Sequence, residues 1–184
     1  HAGDFISLLG SGSRLGCSLT YRVQEETGGI AQALGLAKSF CGNHHCMVIL
    51  GDNIFQESIG VTSTHQLGHE RACLFLKRVP DPGRYGVAVL DKTHRIEYIE
   101  EKPAEPKSDY AVCGIYFYPP EVFGVIANLE PSKRGELEIT DVNNWYFNCG
   151  AMSWQAVCGY WTDAGTPESL AQANKYVTEQ PPRY

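Results

Sequence analysis

The sequence predicts an α/β domain in which a mixed, mostly parallel sheet is flanked by helices. Three observations carry this. Met47-Val48-Ile49-Leu50 is a short apolar run cut off by Gly51-Asp52-Asn53, the pattern of a strand buried on both faces and ending at a ligand-binding edge. Runs with strand character then recur between stretches of helical periodicity. Finally, 184 residues that are 43% hydrophobic and 20% charged suffice for one real core, so residues 1–184 read as a single domain.

Taken in order, His1 to Leu9 reads as the tail of a helix, with Phe5, Ile6, Leu8 and Leu9 on one face. No capping residue precedes it and residue 1 is not methionine, so further sequence upstream is expected. Gly10-Ser-Gly-Ser-Arg14-Leu-Gly16 has the glycines of a phosphate loop, but the next residues are strand-like rather than helical, so it reads as a connecting loop. Leu19 to Gln24 alternates as a strand, and Gly28-Gly29 opens a helix through Phe40. Glycines before a helix start let a flat group approach, and the amide of Gln24 can both donate to and accept from a nucleobase edge. An ordinary exposed glutamine is the alternative. Cys41-Gly-Asn-His-His-Cys46 crowds four soft-metal donors into six residues without a Cys-x2-Cys pair, and reads as a turn.

After the Asp52 strand, residues 56–71 show no periodicity and read as a loop or a frayed helix. Ala72 to Val79 is a strand. Arg84–Asp91 and Arg95–Lys102 form an antiparallel hairpin, with Glu100-Glu101-Lys102-Pro103 placing carboxylates beside an ammonium at a strand end. Such a pair can hold a sugar hydroxyl and a phosphate, or be a solvated ion pair. Tyr110 to Tyr118 is a strand and Pro119-Pro120 opens a helix to Leu129. Arg134 precedes Gly135 with a planar fork free for phosphate, and Thr140-Asp141 can cap a helix from Val142 to Asn148. Asp163 ends a last strand, after which Thr166 caps a helix with Pro167 in its first position. Two aspartates at strand exits, 52 and 163, suit a magnesium ion that takes its remaining ligands from phosphate and water, although Asp52-Asn53 alone could equally be a simple Asx turn.

Fifteen basic and twenty-one acidic residues give a net charge of −6 with no long single-sign run, which argues against nucleic-acid or anionic-membrane binding. No apolar run approaches the roughly 18 residues that span a bilayer. Seven cysteines, an odd number partly inside apolar runs, fit a reducing compartment, and a cytoplasmic location is expected.

From Leu8 to Val177 the chain resembles the sugar-phosphate nucleotidyltransferases, most closely their thymidylyl branch. The motifs that carry the likeness are Tyr-Arg-Val-Gln24 with Gly28-Gly29, Leu-Gly-Asp52-Asn-Ile-Phe, Arg-Tyr85-Gly86-Val, Glu100-Glu101-Lys102-Pro with Tyr-Ala-Val112, Arg134-Gly-Glu-Leu-Glu-Ile-Thr-Asp, and Tyr-Trp161-Thr-Asp163-Ala-Gly-Thr. The resemblance implies the Rossmann-like nucleotide-diphospho-sugar transferase fold. It implies that Gln24 and Gly29 hold the base, that Asp52 and Asp163 hold Mg2+ on the triphosphate, and that Gly86, Glu101 and Val112 contact the sugar. Lys102 and Arg134 would contact the sugar phosphate, with Tyr85, Tyr116 and Trp161 lining the same pocket. The implied reaction is attack of glucose 1-phosphate on the α-phosphate of dTTP, giving dTDP-glucose and pyrophosphate, in which positioning and charge neutralisation do the catalysis. Family members are usually oligomers, so a homo-oligomer is an open expectation.

One departure qualifies the likeness. The family begins with a strand and a loop of the form Gly-Gly-x-Gly-Thr-Arg-Leu, followed by a lysine, which grip the triphosphate. The spacing of Arg14 from Gln24 matches a later turn instead, so that role is not carried over, and the domain is expected to be incomplete at its N-terminus. Each lost phosphate contact costs on the order of 3 kcal/mol of transition-state stabilisation, so low activity of this chain alone is expected. A non-catalytic binding or regulatory module, and a uridylyl- or adenylyltransferase, remain the alternatives.

Overall fold

The computed structural model describes residues 2–57, 59 and 71–180. Most of the loop expected at 56–71 therefore lies outside the described residues. Helix α1 (Ala2–Leu9) is followed by the glycine-rich stretch, which forms only a single 3-10 turn at Ser13–Leu15 between two left-handed glycines and leads into no α-helix. It is a connecting loop. Helices α2 (Ile30–Gly35) and α3 (Lys38–Cys41) follow, then strands β1 (Cys46–Ile49), β2 (Asn53–Phe55), β3 (Ala72–Arg78), β4 (Gly86–Leu90), β5 (Ile96–Glu101) and β6 (Tyr110–Tyr118). The chain ends with α4 (Val122–Ile126), α5 (Ile139–Asn148), β7 (Met152–Ala156), β8 (Trp161–Asp163) and α6 (Pro167–Glu179).

The sheet is mixed and flanked by helices, but its pairing departs from expectation. Strand β6 runs antiparallel to β1, β3 and β4, β4 runs antiparallel to β5, and among the described strands only β3 with β7 is parallel. The expectation of a mostly parallel sheet rests on the apolar run at β1, and β1 is not buried on both faces. Its residues are half-buried and Ile49 is 59% exposed. The doubly buried pattern belongs to β3 and β6 instead. Leu74 and Leu76 face a core shared with α2, α4 and α5 through Leu34, Val122, Ile126, Val142 and Tyr146, while Cys73 and Phe75 face a second core with Cys113, Ile115 and Trp161.

Three further expectations change. Leu19–Gln24 pairs with no strand among the described residues; it runs irregularly, tethered by Tyr21 to the carbonyl of Gly10 and by Arg22 to Ser39. The helix expected at 30–40 is interrupted after Gly35, where Leu36 and Ala37 keep right-handed backbone but Ala37 donates to Leu34, three residues back, before α3 begins. Helix α5 starts at Ile139 with Glu138 as its extended cap residue, so Thr140 and Asp141 lie inside it and Thr140 is released for another partner. Strand β7 has no counterpart among the elements expected from the sequence. At the Cys41–Cys46 stretch, Gly42 takes a left-handed φ of +56° and simply turns α3 into β1.

One feature of the topology creates the site. A single edge of β6 is shared by two strands: β4 pairs with its first residues, 110 and 111, and β1 with its last, 115–118. Between them Val112 to Gly114 pair with no described strand on that edge. There β1 runs out into Leu50, whose amide donates to the Gly114 carbonyl. Among the described residues no helix is long and apolar enough to cross a membrane.

Candidate active site

At the gap between β1 and β4 lies a cavity of about 260 Å³. Nine of the residues singled out in the sequence line it: Asp52, Tyr85, Gly86, Glu101, Lys102, Val112, Tyr116, Trp161 and Asp163. They come from five separate places in the chain and meet because β2 and β8 form a small ladder of their own. In that ladder Asn53 is opposite Asp163 and Phe55 opposite Trp161, and the Ala164 amide donates to the carbonyl of Asp52 at 2.7 Å. The two carboxylates converge as a result. A Cβ placed on Gly165 would sit 3.2 Å from one oxygen of Asp163 and 3.3 Å from one of Asp52, so this glycine leaves a cradle that both aspartates face. Two carboxylates meeting at an open point on a cavity wall are a donor set suited to a hard divalent cation that keeps sites for phosphate and water.

Asn53 locks this corner, although its sequence context gives it no role. Its side-chain nitrogen donates to Asp52 Oδ1 at 2.8 Å, while its oxygen accepts from the Gly114 amide at 3.0 Å and from the Trp161 ring nitrogen at 2.8 Å. One side chain thus ties β2 to β6 and β8. Arg84, which the motif it shares with Tyr85 and Gly86 leaves without a role, reaches both oxygens of Asp163 at 3.1 and 2.9 Å, and the Tyr85 hydroxyl donates to Oδ1 at 2.7 Å. Burial first, then this bond to a carboxylate, pushes the Tyr85 hydroxyl well above its ordinary pKa, so it stays a donor. The ring of Tyr85 leans on Trp161 at 5.1 Å.

The opposite wall is polar. Thr140, freed from capping by the early start of α5, donates to Glu101 Oε2 at 2.5 Å. Glu101 sits across the β4–β5 ladder from Gly86, where a Cβ would find ordinary contacts of 3.5 Å to Glu101 and Thr140 and 3.7 Å to Val112. Packing therefore does not require glycine there; a side chain would occupy cavity space. Lys102 follows with a left-handed φ of +43°, uncommon for a lysine, held by a 3.0 Å bond from its amide to the Tyr85 carbonyl. Its ammonium is 4.0 Å from Glu101 Oε1 and half-exposed. Buried Asn143 accepts from Tyr118 at 2.5 Å and completes the floor with Tyr116, whose hydroxyl burial keeps protonated.

Three of the singled-out residues lie outside this cavity. Gln24 and Gly29 do come together, at the start of α2, where the Gln24 amide donates to the Gly29 carbonyl at 3.2 Å and to Gln32 at 2.6 Å. The glycine pair accommodates the chain itself: a Cβ on Gly29 would lie 2.5 Å from the Leu137 carbonyl, and Leu137 donates to Gly28. Arg134 is half-exposed and its fork is taken by Glu138 and Glu136, at 2.9 and 3.2 Å. It is not free for a phosphate in this arrangement.

Residues 1–180 match the model of a family described as nucleotidyl transferase. The chain belongs to that family. A glucose-1-phosphate thymidylyltransferase of Neisseria meningitidis is 41% identical over 178 residues, which are 95% of this chain and 62% of that protein. The low-salt glycan biosynthesis nucleotidyltransferase Agl11 of Haloferax volcanii is 39% identical over 96% of this chain and 50% of its own length. The chain spans about 60% of the length of the thymidylyltransferases it matches. A Bacillus anthracis structure, provisionally named a glucose-1-phosphate thymidylyltransferase and solved with a sucrose, superposes with a TM-score of 0.91 at 50% identity, covering all of this chain and 74% of that one. A UDP-glucose pyrophosphorylase complexed with UDP-glucose, 22% identical, shares the fold with a TM-score of 0.80 over 98% of this chain and 74% of its own.

Proposed function

We propose that this chain carries the sugar-phosphate half of a nucleotidyltransferase that joins glucose 1-phosphate to dTTP, releasing pyrophosphate and leaving dTDP-glucose. The observation that carries the reading is the meeting of Asp52 and Asp163 at Gly165, on the same cavity as the Glu101, Thr140 and Lys102 wall. Glu101 accepts from sugar hydroxyls, with Thr140 fixing its orientation, and Gly86 leaves room for the ring. Lys102 offers a point charge to the sugar phosphate. In the reaction a phosphate oxygen of the sugar attacks the α-phosphorus, the bond to the β-phosphate oxygen breaks, and pyrophosphate leaves with that electron pair. Mg2+ held by Asp52 and Asp163 would neutralise charge on the phosphates. The chain's own groups position the partners and need make no covalent bond. Seven free thiols support a cytoplasmic setting for this activity.

A second reading keeps sugar binding and drops the chemistry. It is favoured by Arg134, which is held by two glutamates, and by Gln24, whose amide is taken by Gly29 and by Gln32 of α2. The experiment is pyrophosphate release by the 184-residue protein with Mg2+, glucose 1-phosphate and dTTP, repeated with UTP and ATP, with Asp52→Asn as control. Release that falls at least a hundredfold in Asp52→Asn, roughly the effect of removing one transition-state charge contact, supports the enzyme. Calorimetric binding of dTDP-glucose without release supports the binding module, and the absence of both release and binding sinks both readings.

A further inference from the structure

We propose that Arg84 is the internal counter-ion of Asp163, competing with a divalent cation for that carboxylate and turning to phosphate oxygens once the cation displaces it. This deepens the metal assignment above and rests on it. Arg84 touches both oxygens of Asp163, and the Tyr85 hydroxyl takes Oδ1 as well, so neither oxygen is unengaged. Asp52 is engaged differently, by the neutral amide of Asn53 on Oδ1, while its Oδ2 faces the Gly165 cradle. A cation entering the cradle thus finds Asp52 Oδ2 ready but must share or take Asp163 from a guanidinium.

The geometry permits the exchange. Asp163 is largely buried, its side chain 16% exposed, but the Arg84 side chain is 38% exposed and has a way out. Its carbon lies 5.2 Å from the Tyr85 ring centroid, so the planar group rests against a surface along which it can slide without losing all contact. Arg84 ends the short 3-10 turn Pro82–Arg84, beside the tight approach of Gly83 to Pro103 and Pro106, which holds its backbone while the side chain moves. A phosphate brought in with the cation offers a released guanidinium the bidentate partner its fork matches. Arg84 would then disfavour the bare cation and favour the cation with its phosphate, so that metal and nucleotide bind together.

The test is Mn2+ binding to the 184-residue protein by electron paramagnetic resonance, without nucleotide and then with dTDP, for the wild type, Arg84→Gln and Asp52→Asn. Arg84→Gln is expected to bind Mn2+ alone roughly two- to fivefold more tightly, the range of a partly exposed ion pair, and to bind dTDP with Mn2+ more weakly. Mn2+ affinity unchanged or lowered in Arg84→Gln, with Asp52→Asn still weakening it, would overturn the counter-ion role and leave the metal assignment standing. No loss in Asp52→Asn would remove the metal assignment and this inference with it. Arg84→Met, which removes the charge and keeps a long side chain against Tyr85, decides the matter if Arg84→Gln does not fold: tighter Mn2+ binding than wild type supports the role, and equal binding ends it.

Discussion

At the scale of single residues, the cavity is defined as much by missing side chains as by those present. Gly86 is the clearest case, because a methyl there meets its neighbours at 3.5 to 3.7 Å, ordinary contact distances, and its backbone is not left-handed. Gly86→Ala should therefore leave the fold intact, with a change in unfolding free energy within about 0.5 kcal/mol. The methyl would instead occupy space beside Glu101 and Thr140, so binding of dTDP-glucose should weaken roughly tenfold or more, a steric clash worth about 1.4 kcal/mol. Calorimetric titration beside a denaturation curve separates the two effects. A large loss of stability with binding retained would mean that Gly86 serves packing. This division also marks what the sequence could show of the site. Asp52, Asp163, Glu101 and Lys102 were legible because charged groups at strand ends advertise themselves. Asn53, Arg84 and Thr140 were not, because their partners lie 61, 79 and 39 positions away in the chain and only the fold brings them together. Arg134 was misleading for the matching reason: its glutamates are neighbours in sequence, and local pairing claims it first.

At the scale of elements, strands were legible where apolar and β-branched residues ran unbroken, as in β3 and β6, and the hairpin of β4 and β5 was legible from its turn. Partner and direction were not, since a strand that shares one edge of β6 with another looks in sequence like any other strand. Strand β7 was missed because Met152–Ala156 mixes Ser and Gln with Met and Trp, and only pairing with β3 makes it a strand. Helix α6 shows a local signal sufficing. Thr166 accepts from the Ser169 amide at 3.1 Å while Ser169 Oγ accepts from the Thr166 amide at 3.1 Å, closing a capping box in which serine stands in for the usual glutamate. Thr166→Ala should cost about 1 kcal/mol. Because α6 packs on β8, which carries Asp163, the loss should appear both in the urea midpoint and as faster amide exchange across β8 and the first turn of α6. An unchanged midpoint would show that Pro167 alone is enough to start the helix.

At the scale of the molecule, both faces of the central sheet enclose ionisable groups that burial keeps neutral, and this predicts how the whole fold responds to alkali. Burial pushes the Cys73 thiol from its ordinary 9.0 to about 11, and burial with the neighbouring Cys41 pushes Cys46 to about 12. Cys113, Tyr85, Tyr116, Tyr118 and Tyr146 are raised in the same direction, burial being the first cause in each. Above pH 9 the unfolded chain releases protons that the folded chain still holds. The stabilisation from keeping these groups neutral is therefore complete below pH 9 and disappears as the pH climbs through the raised values. The most deeply buried of these groups, Cys113, Tyr116 and Tyr118, each remove up to about 1.4 kcal/mol per pH unit in that window, and the others less, thiols first and then tyrosines. The urea midpoint should hold level from about pH 7 to 8.5 and fall steeply by about pH 10.5. Cys73→Ala, though less stable at neutral pH for its lost sulfur, should fall less steeply because one titrating group is gone. A midpoint that stays level to pH 10.5 would mean that these side chains reach water in the folded protein and that the two cores are looser than their packing implies. An equal slope in Cys73→Ala would instead move the alkaline loss onto the tyrosines facing α2, α4 and α5.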